Sequence, residues 1–277
     1  MDKIAKTILK LLISGVIIYY IYSSLDINKF ISYLKNVTIT SYISAFVVFN
    51  ISQIISAKRL ELILLTKKVV ISFKEQIKLY YLGMFYNLFL PAGIGGDGYK
   101  VYYFSKLFQI KIRVLIKLLL YDRFVGLSGL LFLLFICLYF YFDYKIISSV
   151  LVISALVVAG VIFMFFKDLN IVFSKVLLLS IFIQALQGLS GYLLFANLTQ
   201  FYGIYLALFF LSSLATVFPF TIGGLGAREA VFVYGLSNLN INYEAGVLFC
   251  GLFFSLTVFS SLIGVFFIKR FSVQQNN

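Results

Sequence analysis

The sequence predicts an all-α polytopic membrane protein, because its composition, its apolar runs and its charge distribution agree. Of the 277 residues, 62% are hydrophobic and 12% are charged, and the mean hydropathy is +1.04. Soluble domains are roughly 45–50% apolar and about 25% charged, so a water-soluble fold could not bury this much apolar surface. We therefore expect residues 1–277 to form a single integral membrane domain.

Apolar runs of about 20 residues, long enough to cross the hydrocarbon core as helices, recur along the chain. Six runs predict full transmembrane helices, near residues 8–25, 38–57, 118–141, 146–166, 173–197 and 244–268. The first run lacks a small-residue cleavage site, so we expect a retained helix rather than a signal peptide. Two polar-rich stretches, 58–78 and 99–117, are expected to be loops or interfacial helices.

Two further apolar stretches, residues 76–98 and 203–238, are interrupted near the middle by proline and glycine. They contain the only two prolines of the chain, Pro91 and Pro219. Proline ends a helix, and glycine permits sharp turns and close approach of the backbone. Each stretch is therefore predicted to be a broken, re-entrant hairpin.

The lysine and arginine residues predict the orientation, because short cytoplasmic loops carry most of these residues. With the N-terminus inside, all but five of the 23 fall in cytoplasmic segments; the exceptions are Lys29, Lys35, Lys145, Arg123 and Arg228. Both termini are then cytoplasmic. The first hairpin enters the membrane from the cytoplasm, and the second enters from the outside.

The two breaks share the pattern P-x-x-I-G-G-x-G-x-[K/R], which begins at Pro91 and again at Pro219. We infer a duplicated unit with halves of roughly 1–142 and 143–277. Copies that enter from opposite sides form an inverted repeat, which in many transporters places a binding site near the bilayer midplane. The alternative is that each break is a tight turn between packed helices, with glycines serving only close packing.

The helix after each break is expected to present free backbone N–H groups and a positive dipole end to an anion. The residues assigned to this backbone site are Asn87, Pro91, Gly95, Gly96, Pro219, Gly223, Gly224 and Gly226.

Ionisable side chains within membrane segments are candidates for substrate binding, because each costs about 2.5–3.5 kcal/mol to insert. The candidates form three clusters, which are Asp97 with Lys100, Asp122 with Arg123, and Arg228 with Glu229. The cations are expected to hold a phosphate while the carboxylates orient them or exchange protons. The alternative is a buried ion network that only locks the hairpin to the bundle.

Arg59 ends the second predicted span and is included among the candidate binding residues. Its simpler interpretation is a topology anchor whose charge reaches the cytoplasmic interface. Cys137 and Cys250 fall within predicted spans and are expected to be packing residues.

Several function classes are disfavoured by the sequence. The chain has no histidine, which removes the commonest general base and metal ligand, and no P-loop pattern occurs. We expect no metal and no cofactor. The net charge of +13 is explained by basic cytoplasmic loops, so nucleic acid is not expected as a partner.

Three ordered motifs carry a family resemblance: Asn87-Leu-Phe-Leu-Pro91-x-Gly-Ile-Gly-Gly-Asp97, Asp122-Arg123-x-x-Gly126-Leu, and Pro219-x-x-x-Gly-Gly-Leu-Gly226-Ala-Arg228-Glu229. Together they resemble the transmembrane, flippase-like domain of lysylphosphatidylglycerol synthases and its stand-alone bacterial and archaeal relatives. The resemblance covers nearly the whole chain.

The resemblance implies inverted repeats with re-entrant helices in a bacterial or archaeal cytoplasmic membrane, and movement of a lipid headgroup between leaflets. Nothing in the chain corresponds to the soluble synthase domain of the bifunctional members. Many relatives carry arginine at the position of Lys100, so this chain keeps the charge there without the two-pronged geometry of a guanidinium.

The function expected from the sequence is a lipid translocase, a transporter rather than an enzyme. Its cargo would be a phosphate-containing lipid, such as a phospholipid or a polyprenyl-phosphate-linked lipid. The sequence leaves open homo-oligomerisation and coupling to an ion gradient, with Asp97, Asp122 or Glu229 as proton carriers. Two alternatives stay open: a membrane-embedded transferase acting on a lipid-linked sugar or amino acid, and a non-transporting assembly factor.

Overall fold

The protein is predominantly helical in the part that is described in the computed structural model. This part comprises residues 15–16, 19–89, 95–141, 149, 153–154, 157–158, 160, 163–217 and 224–273. The predicted all-α membrane fold is confirmed, since these residues contain no β-strand. The α-helices that are described from end to end are α1 (Ile27–Lys35), α2 (Ile39–Leu65), α3 (Phe73–Phe89), α4 (Gly95–Phe108), α5 (Ile112–Tyr141), α6 (Asn170–Phe195), α7 (Tyr202–Ala215), α8 (Ala227–Asn238), α9 (Glu244–Leu262) and α10 (Ile268–Val273). Two 3₁₀-helices complete them, Lys167–Leu169 before α6 and Ile263–Phe267 between α9 and α10.

Four segments in the described residues are long and apolar enough to cross a membrane. They are Ile39–Leu65, Ile112–Phe140, Lys167–Phe195 and Glu244–Phe271. These segments correspond to four of the six predicted spans.

About half of each of the two remaining predicted spans, 8–25 and 146–166, lies outside the described residues. Those of their residues that are described are helical up to Ser23 and from Ser149 to Phe165.

The two polar-rich stretches are mostly helical, so a loop is the wrong interpretation for most of their length. Within residues 58–78, α2 continues to Leu65 and α3 begins at Phe73. Within residues 99–117, only a short connection separates α4 from α5. Each stretch is therefore a continuation of membrane-associated helices into their basic ends.

Helices α2 and α6 pack along each other in antiparallel directions. Near one end, Ser190 donates a hydrogen bond of 2.8 Å to the Ala45 carbonyl, and near the other, Arg59 donates one of 2.9 Å to Ser180. Helix α5 packs against the same pair, since a Cβ on Gly129 would lie only 2.9 Å from the Ser180 backbone. The three helices thereby bring their polar side chains together.

Two shorter helix pairs flank the glycine-rich breaks. Residues 90–94 separate α3 from α4, and residues 218–223 separate α7 from α8, so Pro91, Pro219 and Gly223 lie outside the described residues. The four helices have 17, 14, 14 and 12 residues. At 1.5 Å per residue they are roughly 18–25 Å long, shorter than the ~30 Å hydrocarbon core.

The two helices of each pair pack tightly against each other. A Cβ on Gly96 of α4 would lie 1.9 Å from the carbonyl oxygen of Gly83 in α3. In the second pair, a Cβ on Gly235 would lie 2.4 Å from the Leu208 side chain. Each pair is thus a closely packed helical hairpin, and glycines at both pairs permit the packing.

The same order of elements occurs twice along the chain. A long helical segment, a broken hairpin and a second long segment appear first as Ile39–Leu65, α3–α4 and Ile112–Phe140. They appear again as Lys167–Phe195, α7–α8 and Glu244–Phe271. The order matches the duplicated sequence pattern at the two breaks.

Candidate functional site

A layer of buried polar side chains lies between two apolar clusters. One cluster includes Phe49 of α2 and Leu194 of α6, and the other includes Leu60 of α2 and Val176 of α6. Between these segments the two helices carry buried or half-buried polar residues, which include Ser52, Gln53, Ser56 and Arg59 on α2 and Ser180, Gln184, Gln187 and Ser190 on α6. The polar layer is therefore within the bundle rather than at its ends.

Arg59 and Asp122 form a two-point ion pair in this layer. Nε and Nη2 of Arg59 donate to the two carboxylate oxygens of Asp122 at 2.8 and 3.1 Å. The third nitrogen, Nη1, donates to the Ser180 hydroxyl at 2.9 Å. Gly126, one turn beyond Asp122, leaves room for the guanidinium, because a Cβ there would lie 3.2 Å from Nη1.

The interpretation of Arg59 as an interfacial anchor is wrong. Its side chain is 8% exposed and that of Asp122 is 14% exposed, so both charges are inside the protein. Arg59 lies six residues before the end of α2, and its guanidinium is held inside the bundle by Asp122 and Ser180.

Asp97 lies between two cations at the first break. Its carboxylate accepts a hydrogen bond of 2.6 Å from Nε of Arg123 and one of 3.4 Å from Nζ of Lys100. Arg123 is thus joined to the first break, whereas Asp122 bonds to Arg59 on α2. Adjacent residues of a helix point in different directions, which explains the divergence.

The two cations beside Asp97 differ in accessibility. The Lys100 side chain is 7% exposed and lies over the Tyr80 ring, 4.6 Å from its centroid, whereas the Arg123 side chain is 45% exposed. Gly83 accommodates the lysine, because a Cβ there would lie 2.7 Å from Lys100 Cε. Arg123 is therefore the more exposed of the two cations.

Arg228 extends from the start of α8 into an aromatic and hydroxyl environment. Its Nη1 donates to the hydroxyls of Ser212 and Ser213 at 3.0 and 3.2 Å. The guanidinium also lies over the rings of Phe209 and Phe253, at 5.4 and 4.9 Å. Among the described residues, no carboxylate forms a salt bridge with Arg228.

Two backbone N–H groups at the breaks are occupied, contrary to the expectation that they are free for an anion. The N–H of Gly96 donates to Asn87 Oδ1 at 2.8 Å, and the N–H of Gly226 donates to Glu229 Oε2 at 2.8 Å. Glu229 therefore caps its own helix rather than orienting Arg228. Gly224 and Gly226 have φ of +82° and +86°, which glycine adopts more easily than other residues.

Two adjoining chambers bring most of these side chains together. The larger chamber has a volume of about 650 Å³, and its charged lining residues are Arg59, Asp97, Lys100, Asp122 and Arg123. The smaller chamber has a volume of about 340 Å³, and its charged lining residues are Arg228 and Glu229. The wall that they share consists of Met84, Leu130, Gln184, Gln187, Thr216, Gly224, Phe254 and Thr257. All seven charged candidates predicted from the sequence thus line one chamber or the other.

The larger chamber reaches the outer surface of the bundle beside apolar side chains. Three of its lining residues, Leu120, Phe124 and Val217, are 45%, 37% and 53% exposed. Leu120 and Phe124 are one turn apart on α5 and flank the helix face that carries Arg123. The rim of the chamber is therefore apolar where its interior is charged.

Sequence reasoning missed the lining contributed by α6. Ser180, Gln184 and Gln187 recur at helical spacing on one face of an otherwise apolar segment. Polar residues three and four apart on a membrane helix form a stripe that faces the protein interior. This spacing is the sequence signal that indicates the polar face of α6.

The fold and the chambers define a class of protein, a polytopic helical membrane protein with an internal charged cavity. The family model for the transmembrane region of lysylphosphatidylglycerol synthases matches residues 7–174. The chain therefore belongs to this family, which makes it a membrane protein of a lipid-related family. The match includes Arg59, the first break and the pair Asp122 and Arg123, and it ends before the second break. No curated protein matches the chain.

Proposed function

We propose that this protein is a lipid translocase that moves a lipid with an anionic, phosphate-bearing headgroup between the two leaflets. The observation that carries the proposal is a pair of adjoining chambers with an excess of cations, whose apolar rim faces the outside of the bundle. The headgroup would pass through the chambers, and the acyl chains would stay in the surrounding lipid.

The charges of the chambers favour an anionic headgroup. Arg59 and Asp122 neutralise each other through their two-point contact. Asp97 is one carboxylate between two cations, which leaves an excess positive charge beside Arg123. Glu229 balances the formal charge of Arg228, so the two chambers together have one more cation than carboxylate. The Glu229 carboxylate caps α8, and the Arg228 guanidinium can donate to phosphate oxygens in a planar fork.

The apolar rim favours a lipid over a water-soluble anion. An ion pathway or a site for a free metabolite requires a polar entrance, whereas Leu120, Phe124 and Val217 place exposed hydrocarbon at the edge of the charged interior. Such an edge matches a molecule that has a polar head and apolar tails.

The repeated order of elements supports alternating access as the mode of transport. The hairpins α3–α4 and α7–α8 are shorter than the hydrocarbon core, which fits two re-entrant elements that enter from opposite sides. In an inverted repeat, movement of one half against the other exposes a central site to each side in turn. The chambers would then be the central site.

Reconstitution into liposomes tests the proposal. Vesicles of phosphatidylcholine with a trace of phosphatidylglycerol, fluorescently labelled on an acyl chain, are treated with a membrane-impermeant quencher. We expect the wild-type protein to expose the inner-leaflet label faster than protein-free vesicles do. The recovered lipid should be unchanged in mass, since a modified lipid would favour the transferase alternative.

A pair of variants connects the activity to the chambers. Arg123→Gln combined with Arg228→Gln should lower the transport rate at least about tenfold, since each lost charge-assisted hydrogen bond is worth about 1.5–3 kcal/mol. Arg113→Gln, at an exposed position of the same helix as Arg123, is the matched control and should transport at the wild-type rate. Wild-type protein that moves the label no faster than empty vesicles, with or without an ion gradient, would refute the translocase.

A further inference from the structure

Gln184 and Gln187 occupy a distinctive place in the shared wall. Both side chains line the larger and the smaller chamber, and they lie one turn apart on α6. Among the described residues, neither side-chain amide forms a hydrogen bond to the protein, and neither side chain is fully buried. Their amide groups are therefore available to whatever enters the chambers.

The other polar side chains of the shared wall, Thr216 and Thr257, already donate hydrogen bonds to backbone carbonyls. Thr216 donates to the Ser213 carbonyl at 2.7 Å, and Thr257 donates to the Phe253 carbonyl at 2.9 Å. In the described part of the shared wall, the two glutamines are thus the residues whose side-chain donors are unused. An amide inside a membrane protein is costly when it has no partner, so this pair needs an explanation.

The glutamines lie between two cationic groups. Lys100 and Arg123 line the larger chamber, Arg228 lines the smaller one, and the glutamines line both. An anion that moved from one group to the other across an apolar wall would lose its hydrogen bonds on the way. A third cation in the wall would instead hold the anion too firmly for it to leave.

We propose that Gln184 and Gln187 form an uncharged relay, which passes the anionic headgroup between the Lys100–Arg123 group and Arg228. This inference rests on the proposed translocase function. The side-chain NH₂ groups donate to phosphate oxygens, so the headgroup keeps hydrogen bonds while it crosses the wall. The relay binds the headgroup weakly and lowers the barrier between two stronger sites.

The relay is tested by the rate of label movement as a function of the mole fraction of labelled phosphatidylglycerol in the liposomes. The variant Gln184→Leu combined with Gln187→Leu keeps the approximate volume and removes the amides. Its maximal rate should fall about tenfold, while the half-saturating mole fraction stays within about twofold of wild type. The matched control is Gln200→Leu, at an exposed position beyond α6, which should leave both quantities unchanged.

A second variant tests why the relay is uncharged. Gln187→Lys adds a cation to the wall, and we expect it to lower both the half-saturating mole fraction and the maximal rate, because the headgroup is held more tightly. If the glutamines only supported the fold, Gln187→Lys would not combine tighter half-saturation with a lower maximal rate. The melting temperature of each variant is measured in detergent, and rates are compared only between variants that melt at the wild-type temperature.

The outcomes separate the relay from the translocase itself. If the wild-type protein moves the label and the double leucine variant moves it equally fast, the relay is refuted and the translocase stands. A double variant with an unchanged maximal rate but weaker half-saturation would also refute the relay, because the glutamines would then be part of a binding site. Wild-type protein with no activity would overturn both proposals.

Discussion

The guanidinium of Arg59 and the carboxylate of Asp122 are joined by two hydrogen bonds inside the bundle, at 2.8 and 3.1 Å. The contact ties α2 to α5, and the bond from Arg59 to Ser180 extends it to α6. The pair therefore joins three helices in the wall of the larger chamber, and its two charges neutralise each other.

The first prediction concerns this ion pair. Asp122→Asn leaves the buried guanidinium without its counter-ion, and we expect it to lower the free energy of unfolding by about 3–5 kcal/mol. Thermal unfolding of the purified protein in detergent measures the effect. Asp168→Asn is the control, because the Asp168 carboxylate bonds to Lys67 and Lys117 in a more exposed position, where an ion pair contributes about 1 kcal/mol or less. Equal losses in the two variants would contradict the structural role of the buried pair.

The second prediction concerns the carboxylate at the first break. Asp97→Asn leaves Lys100 and Arg123 without the negative charge between them. We expect tighter binding of an anionic headgroup and slower release, seen as a lower half-saturating mole fraction and a lower maximal rate in the liposome assay. Asp168→Asn should change neither quantity. Weaker half-saturation in Asp97→Asn would show that Asp97 contacts the substrate favourably instead of tuning its cations.

The third prediction concerns the close contact between α3 and α4. A Cβ on Gly96 would collide with the Gly83 backbone, which cannot move aside as a flexible side chain would. We expect Gly96→Ala to destabilise the protein by more than about 3 kcal/mol or to prevent its purification. Gly98→Ala is the matched control, since a Cβ there meets nothing within 4 Å. Its yield and melting temperature should equal or exceed those of wild type, because alanine favours helix more than glycine does.

The fourth prediction concerns the orientation of the two hairpins. Lys106 and Asn238 are exposed near the ends of α4 and α8, respectively. In an inverted repeat with a cytoplasmic N-terminus, Lys106→Cys is labelled from the cytoplasmic side and Asn238→Cys from the opposite side. A membrane-impermeant thiol reagent applied to cells and to inverted vesicles measures this. The native Cys137 and Cys250 are buried and give little background. Labelling of both variants from one side would exclude the inverted arrangement.

The helical membrane fold and the positions of the breaks could be predicted from the sequence alone. Apolar runs of about 20 residues specify membrane helices, because hydrocarbon offers the backbone no hydrogen-bond partners and a helix pairs its own N–H and C=O groups. The two copies of the glycine-rich pattern likewise indicated where α3 and α7 end. Helix limits were less accurate, since α2 and α5 extend beyond their apolar runs into basic sequence that still favours helix.

The candidate charged residues were also found from sequence, because ionisable groups are rare in apolar segments. Their pairing was not predictable. Asp122 and Arg123 are neighbours in the chain, yet one bonds to Arg59 on α2 and the other to Asp97 on α4. The choice depends on which helix each side chain faces, and only the packing of α5 against α2, α4 and α6 sets that direction.

The sequence by itself determined that this chain is a helical membrane protein, that it carries a duplicated break, and which few charges lie within its apolar segments. The tertiary structure alone decided that Arg59 is an internal partner of Asp122, that Glu229 caps α8, and that Gln184 and Gln187 face the chambers. Hydrophobicity and helix breaking are local properties of a segment, whereas a partner for a buried polar group is chosen across helices far apart in the chain.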